Sequence, residues 1–356
     1  MSEVKLAEIG EKKLISVLTA AILSDARLHG GFGHDSGILD VSVADDEYLL
    51  VNTDRSGVNV AYTLGLASGE CIGDFAVSHA VSDIFASGGV PLAVTIALLL
   101  PPETSVSLAK EIMVGADLAA RKYGAFIAAG DTKRNSKLSA VVTAIGKCRK
   151  DYALTRSGAQ DGDLIVLTGA LGTMIAGFIA YKNGFRLSEQ EKKVFNEALI
   201  FQNPPYRLAR DISSSRLAHA CTDNSDGLSS SVHSLCASSG LGAVVYEDRI
   251  PMRKESIVIA SKMGVPPIQL SLASGDWEFL YAVPESDIDI FMETASWYSA
   301  EACVIGRFTK KRKVIISDDN GDFEFLKIEN DRFMEGRSTF DCLSNTISYK
   351  GERADL

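Results

Sequence analysis

The sequence predicts a mixed α/β (α+β) protein built as two domains. Two observations carry this: strand-like and helix-like patterns alternate along the chain, and the alternation restarts after a polar, basic stretch at 149–163. The length of 356 residues agrees, being long for one domain and comfortable for two. The divisions expected are residues 1–150, residues 151–320, and a polar C-terminal extension at 321–356.

Residues 3–28 read as an amphipathic helix, with Leu6, Ile9, Leu14, Val17, Leu18 and Ile22 at helical spacing. A glycine-rich loop, Gly30 to Gly37, follows. Strands are expected at 37–43 and 48–53, joined by a turn at Asp45-Asp46. A helix at 74–87 stops at Gly88-Gly89. Next come a strand at 92–100, a helix at 104–123 capped by Thr104 or Ser105, and strands at 125–129 and 138–148. The first of these last two runs into Gly130-Asp131-Thr132. The second half shows strand 164–167, helices at 173–182, 188–200 and 205–214, and strand 217–222. A helix at 227–238 and strands at 242–247, 277–283 and 302–307 complete it.

The formal net charge of -10 disfavours a nucleic-acid partner, because an acidic surface repels a phosphate backbone. The six cysteines are scattered without a CxxC pair, so neither zinc nor disulfides are expected, and a reducing, cytoplasmic setting is. Glu3, Glu8 and Glu11 interrupt the N-terminal apolar residues, which argues against a signal peptide. No run of about 18 apolar residues suggests a membrane span.

The chemistry lies in the aspartates. Asp35, Asp54, Asp83, Asp131 and Asp226 each lie next to a small residue or glycine, at or near the end of an element. Such ends converge on ligand crevices in α/β proteins. Carboxylates gathered there repel one another unless a cation sits among them, and magnesium brings nucleotide phosphates with it. Taken singly, each aspartate also reads as a helix cap or a turn residue. No GxxxxGK[ST] loop, GxSxG elbow or HExxH pair is present. Phosphoryl transfer suits the inventory, since it needs positioning and charge neutralisation more than a covalent nucleophile.

Segments in order along residues 30–310 resemble the superfamily of aminoimidazole ribonucleotide synthetase, selenophosphate synthetase, the hydrogenase-maturation dehydratase and thiamine-monophosphate kinase. GHDSGIL at 33–39, VNTD at 51–54, AVSDIFASGGVPL at 80–92 and AAGDTKR at 128–134 carry it in the first half. LTRSGAQDGDLIVLTGALG at 154–172, TDNSDGLSSSV at 222–232 and LASGDWEFLYAVP at 272–284 carry it in the second. The last resembles Gly-Gly-Glu-Asp-Tyr-Glu-Leu, which favours the kinase.

The resemblance implies that the first sheet pairs with its twin as a barrel across a homodimer, with ATP and Mg2+ bound between domains. It implies metal roles for Asp35, Thr53, Asp54, Asp83, Asp131, Ser225 and Asp226, with Asp35, Asp131 and Asp226 catalytic. Gly130, Asp131 and Thr132 would meet the nucleotide, and Arg134 and Arg156 its phosphates. Asn59, Asp276 and Trp277 would meet a small phosphorylated substrate. The chain departs from the pattern where His34 replaces the first Asp of the usual pair. It departs again where Arg55-Ser56-Gly57-Val58-Asn59 replaces a Glu-Gly-Val-His stretch, and where Trp277 replaces Tyr. The rival readings are an ATP-dependent ligase or cyclase of the same superfamily and a nucleotide-binding homologue without catalysis.

Overall fold

A computed structural model describes residues 28–29, 37–39, 44–273, 275–328 and 348–354. The expected helix at 3–28 lies outside the described residues except for Leu28, which is in a strand, and His34 and Asp35 lie outside them too.

The first domain is a six-stranded sheet with helices on one face. Its strands are β1 (Leu28–His29), β2 (Gly37–Leu39), β3 (Glu47–Ser56), β4 (Val90–Leu100), β5 (Ile127–Arg134) and β6 (Ser139–Arg149), in the order β1-β2-β3-β6-β4-β5. Only β4 and β5 run parallel, joined through helix α3 (Val106–Lys122). Ser105 caps α3 by accepting a bond from the Leu108 amide at 3.1 Å. A short helix α1 (Val60–Thr63) follows β3, and the long helix α2 (Glu70–Ala86) precedes β4.

Helix α2 organises the molecule. Ile72, Val77, Val81, Ile84 and Phe85 are all buried, and each such side chain stabilises the fold by roughly 1.5–3 kcal/mol relative to exposure. From Cys71 to Ala86, only Asp74, Phe75, His79 and Asp83 are half-exposed. The helix is enclosed by the sheet, by α3 and by the second domain.

Strand alternation sorts the first sheet into two faces. Val94, Ile96, Leu98, Ala140, Val142 and Ala144 are buried under the helices. Leu49, Val51, Ala97, Leu99, Val141 and Ile145 face the other way and stay half-exposed. That second face has no covering layer among the described residues, and β5 is an edge strand exposed from Ala128 to Arg134. Among the described residues the sheet is open and closes into no barrel.

The second domain contains helices α4 (Thr173–Lys182), α5 (Glu189–Ile200), α6 (Tyr206–Ser214), α7 (Leu228–Ser239), α8 (Lys254–Met263), α9 (Ile268–Ser271) and α10 (Ile288–Trp297). Its strands are β7 (Leu164–Thr168), β8 (Ala220–Asp223), β9 (Gly242–Tyr246), β10 (Phe279–Val283), β11 (Ala302–Thr309), β12 (Val314–Asp318), β13 (Gly321–Phe325) and β14 (Lys350–Arg353). They form one sheet in the order β14-β13-β12-β9-β11-β7-β10-β8. Strands β7 and β10 are buried throughout, as apolar runs covered on both faces should be. Helix α5, expected at 188–200, begins with a capping box between Ser188 and Glu191.

Three expectations change. Strand β5 runs through Gly130-Asp131-Thr132 instead of ending before them, because the ladder to β4 continues to the Leu100–Arg134 pair. Within the tail expected at 321–356, the described strands β13 and β14 pair into the second sheet, where Lys350 bridges Asp318 (2.5 Å) and Glu247 (2.7 Å). Helices α8 and α10 had no counterpart in the sequence reading. One apolar cluster runs from α2 and the first sheet into Phe279, Tyr281 and Phe291, so the two domains share a core. No helix among the described residues is long and apolar enough to cross a membrane.

Candidate functional site

The site is built on the half-exposed stripe of α2. Asp83, His79 and Phe75 are spaced by four residues and so rise along one side of the helix. Asp54 comes to the same place from β3. One amide binds the two carboxylates together: Asn52 Nδ2 donates to Asp83 Oδ2 at 2.5 Å and to Asp54 Oδ2 at 3.1 Å. Asn52 and Asp54 are two apart on a strand and therefore share its helix-covered face. Across the domain boundary, Ser82 Oγ donates to buried Asp223 Oδ2 at 3.1 Å, and Ser225 Oγ donates to Asp223 Oδ1 at 3.3 Å. The second domain thus presents its TDNSD segment beside the Asp54–Asp83 pair.

Among the described residues, no three His, Cys, Asp or Glu are grouped to hold a metal ion. Magnesium needs less than that. It keeps several waters and is bound through one or two carboxylates plus substrate phosphates. Asp54 and Asp83 supply hard oxygens at one point, and the amide N–H between them marks where positive charge is favoured. The donor set fits a hydrated divalent cation that arrives with a phosphate.

The other expected ligands are placed elsewhere. Asp131 pairs with Ala97, which pairs with Val141, which pairs with Arg55. Three strand spacings of about 4.8 Å therefore separate it from β3, and it stands on the uncovered face, opposite Asp54. Its carboxylate accepts from the Thr132 amide at 2.7 Å and lies 3.6 Å from Lys133. Thr53 shares that open face and bonds Thr143 at 2.9 Å, so its side chain does not join Asp54. Gly130, Thr132 and Arg134 lie exposed on the same edge strand. Arg156 donates to Thr222 Oγ1 at 3.2 Å, next to Asp223. Asp226 follows Ser225 in the turn before α7.

A cavity of about 150 Å³ opens between the domains beside this pair. Residues 55–60 and α2 line one side; Met174, Gln202, Ser225, Gly275 and Trp277 line the other. Its walls are aromatic. His79 stacks on Phe75 at 5.7 Å between ring centroids, and Trp277 meets Phe75 (5.1 Å) and His79 (4.9 Å) edge-on. The φ of +132° at Gly275 is backbone that glycine adopts without strain and other residues rarely do.

Trp277, Gln202 and Gly275 also border a larger cavity of about 760 Å³ in the second domain. Glu197, Glu255, Asp276, Glu278 and Glu301 line it against only Arg253 and Lys254, which makes it a poor host for a triphosphate. Asp276, expected at the substrate, caps α4 instead, accepting from the Gly172 amide at 2.6 Å and the Met174 amide at 3.3 Å. Burial pushes its pKa up to about 6 despite these bonds. Burial likewise pushes Glu278 up to about 7, partly opposed by the Thr168 hydroxyl at 2.6 Å.

A carboxyl whose folded pKa is raised holds its proton more tightly when folded. The stability contributed by Glu278 is fully present below its unfolded value of 4.5 and is lost as pH rises through about 7. Glu278→Gln keeps an acceptor for Thr168 and removes the titration. Thermal melts from pH 5 to 8 should show the variant about 2–5 °C above wild type at pH 8 and level with it at pH 5. Parallel curves would contradict the assignment.

Sequence reasoning did not single out Asn52, Phe75, His79, Asp223, Gln202 or Glu278. Asp223 had a signal in being the first acid of an Asp-x-x-Asp turn. Phe75 and His79 had one in their four-residue steps toward Asp83. Nothing in sequence marks Gln202.

Comparison with known proteins identifies the family. The AIR synthase related protein N-terminal domain matches residues 33–148, and the AIR synthase related protein C-terminal domain matches residues 160–319. Thiamine-monophosphate kinase of Pyrococcus horikoshii is 32% identical over 261 residues, covering 72% of this chain and 78% of that protein. Thiamine-monophosphate kinase of Methanospirillum hungatei is 31% identical over 239 residues, covering 67% and 76%. The solved structure of AaThiL complexed with AMPPCP and TMP shares the fold, with a TM-score of 0.75 over 92% of this chain and 100% of that one, at 23% identity. With both domains matched in order and the relatives aligned across the domain boundary, this chain belongs to the AIR synthase related family and groups within it with the thiamine-monophosphate kinases.

Proposed function

We propose that this chain is an ATP- and Mg2+-dependent kinase that phosphorylates thiamine monophosphate to thiamine diphosphate. The observation that carries the reading is the placement of an aromatic cavity directly along α2 from the Asp54–Asp83 pair, in a chain whose relatives bear that kinase's name. The helix rises about 1.5 Å per residue, so Asp83 lies about 6 Å beyond His79. A ring held among Phe75, His79 and Trp277 directs its phosphate toward the carboxylates.

Bound magnesium supplies charge neutralisation between phosphates. Asp54 and Asp83 fix where that charge sits, and Asn52 fixes their spacing. Ser225 and Asp226 bring oxygens from the second domain, and Arg156 offers a cation for the nucleotide phosphates. The family resemblance gives Asp35, which lies outside the described residues, a metal role as well. Closing the aromatic cavity over the ring excludes water from the acceptor. An oxygen of the acceptor phosphate attacks the γ-phosphorus in line; the new P–O bond forms as the bond to the β-bridging oxygen breaks, and ADP leaves. No side chain carries the phosphoryl group.

The protein acts as a homodimer in this reading. The uncovered apolar face of the first sheet and the free edge of β5 are the surfaces a second copy would cover. Asp131, Thr132 and Arg134, too far from Asp54 to meet it within one chain, then act on nucleotide at that junction. Sedimentation should give a dimer, and a monomer at micromolar concentration would remove this part.

An assay with ATP, Mg2+ and thiamine monophosphate should yield equimolar ADP and thiamine diphosphate. Release of inorganic phosphate dependent on an amide or acid would instead establish a ligase. Tight ATP–Mg2+ binding without turnover would establish an inactive homologue.

A further inference from the structure

We infer that Asn203 is a positioning residue, latched across the domain boundary by Lys122 and Tyr123 so that the walls of the aromatic cavity stand at a fixed separation. Asn203 lies in the segment 201–205 that joins α5 to α6 in the second domain. Its Oδ1 accepts from Lys122 Nζ and, at 3.1 Å, from the Tyr123 hydroxyl, both at the end of α3 in the first domain. A carbonyl oxygen has two lone pairs, so it takes both donors, and the lysine bond is charge-assisted. Asn203 Nδ2 makes no hydrogen bond among the described residues, so the role lies in the oxygen alone.

Donor counting extends the latch into α2. The Tyr123 hydroxyl has one proton, and an amide oxygen can only accept, so that proton goes to Asn203. Ser78 Oγ, 2.9 Å from the same hydroxyl, then donates to Tyr123. Ser78 and Tyr123 are both buried. Burial pushes the Tyr123 pKa well above the usual tyrosine value, which keeps the hydroxyl a donor. The bonds therefore run from α2 through the end of α3 to the second domain.

The latch ends one residue from each wall. Ser78 precedes His79 and Asn203 follows Gln202, and His79 and Gln202 line the small cavity from the two domains. The segment between has little slack. Pro204 and Pro205 have fixed φ, and a residue before proline is held extended. On its far side Tyr206 meets Tyr123 edge-on at 5.1 Å between centroids and Phe85 at 5.7 Å. Releasing Asn203 lets the Gln202 wall move off α2 while Tyr206 keeps its ring contacts. Ser78 is more than a turn of α2 from Asp83, so the metal pair is untouched. The consequence for catalysis rests on the kinase reading: a displaced wall weakens binding of the thiamine phosphate and leaves ATP unaffected.

The test compares Asn203→Leu, which keeps the size and loses the oxygen, with Asn203→Asp, which keeps oxygens for both donors. Asn203→Leu should raise the KM for thiamine monophosphate about 10-fold, with kcat within about 2-fold of wild type and the KM for ATP unchanged. Asn203→Asp should restore wild-type values. Hydrogen exchange over residues 199–209, which needs no substrate, should be about 10-fold faster in Asn203→Leu alone. Tyr123→Phe added to Asn203→Leu should raise the KM no further, since the bond it removes is already gone. Lys122→Met alters an exposed side chain, and should raise the same KM about 3-fold, so it reads the latch where Asn203→Leu fails to fold. A KM unchanged in Asn203→Leu and Lys122→Met, a loss that Asn203→Asp does not restore, or a fall in kcat at constant KM overturns the latch; the last is what a merely less stable protein would show. A wild type that does not phosphorylate thiamine monophosphate removes the kinase reading instead, and exchange then decides the latch: faster in Asn203→Leu and normal in Asn203→Asp supports it, equal in all three proteins overturns it.

Discussion

Asp83→Asn is expected to cut ATP-dependent turnover by about 1,000-fold while the protein stays folded. The carboxylate is half-exposed and replaced by an amide of the same shape, so no cavity or overpacking arises. What is lost is one of the two hard anionic oxygens at the point where Asn52 ties Asp83 to Asp54. Metal-borne stabilisation of a phosphoryl transition state is worth several kcal/mol, and each 1.36 kcal/mol is tenfold in rate. Measured ADP release should collapse, and Mn2+ titration followed by electron paramagnetic resonance should show weakened ion binding. Turnover equal to wild type would remove Asp83 from the metal site. Asp131→Asn probes the open face separately: it is expected to raise the KM for MgATP about 10-fold or more, the cost of losing a charge-assisted contact. An unchanged KM would place the nucleotide away from that face.

The second large effect is expected at Gly73 and Gly115, where α2 and α3 touch backbone to backbone. A Cβ on Gly73 would lie 1.9 Å from the Ile112 carbonyl oxygen, and one on Gly115 would lie 1.9 Å from that of Glu70. Neither obstacle is a flexible side-chain tip, so relief requires moving a helix. Gly73→Ala and Gly115→Ala should each destabilise by about 3 kcal/mol, the upper end of typical overpacking, and lower Tm by about 5–12 °C. Because α2 bears Asp83, His79 and Phe75, the surviving folded protein should also bind acceptor more weakly. Gly57→Ala is the control, since nothing lies within 4 Å of its added Cβ. Melting points equal to the control's would show that the helices are not held at backbone contact.

The residue record divides along a physical line. Local patterning was sufficient where one element's own chemistry decides its state. The helix expected at 188–200 formed behind its own cap at Ser188, the helix expected to stop at Gly88-Gly89 did so, and the strands expected at 164–167 and 277–283 became β7 and β10, covered on both faces. The end of β5 was read too early because Gly130-Asp131 looks like a turn, whereas ladder pairing with β4 holds it extended. Strands β13 and β14 were unreadable for the same kind of reason. Their polar sequences are stabilised by edge pairing and by the Lys350 ion pairs, which are long-range.

By itself the sequence determined the fold class, the two-domain succession and, among the candidates for the chemistry, Asp54, Asp83, Ser225 and Trp277. Which of them meet was decided only by the tertiary structure. Sheet alternation sends Asp54 to one face and Thr53 and Asp131 to the other, and the turn before α4 takes Asp276 as its cap. Packing of the second domain on α2 brings Asp223 against Ser82, and Gln202 and Trp277 to the interdomain cleft. Side-chain direction is a local property with a period of two or 3.6, but coincidence in space depends on strand order and domain packing, which no local period encodes.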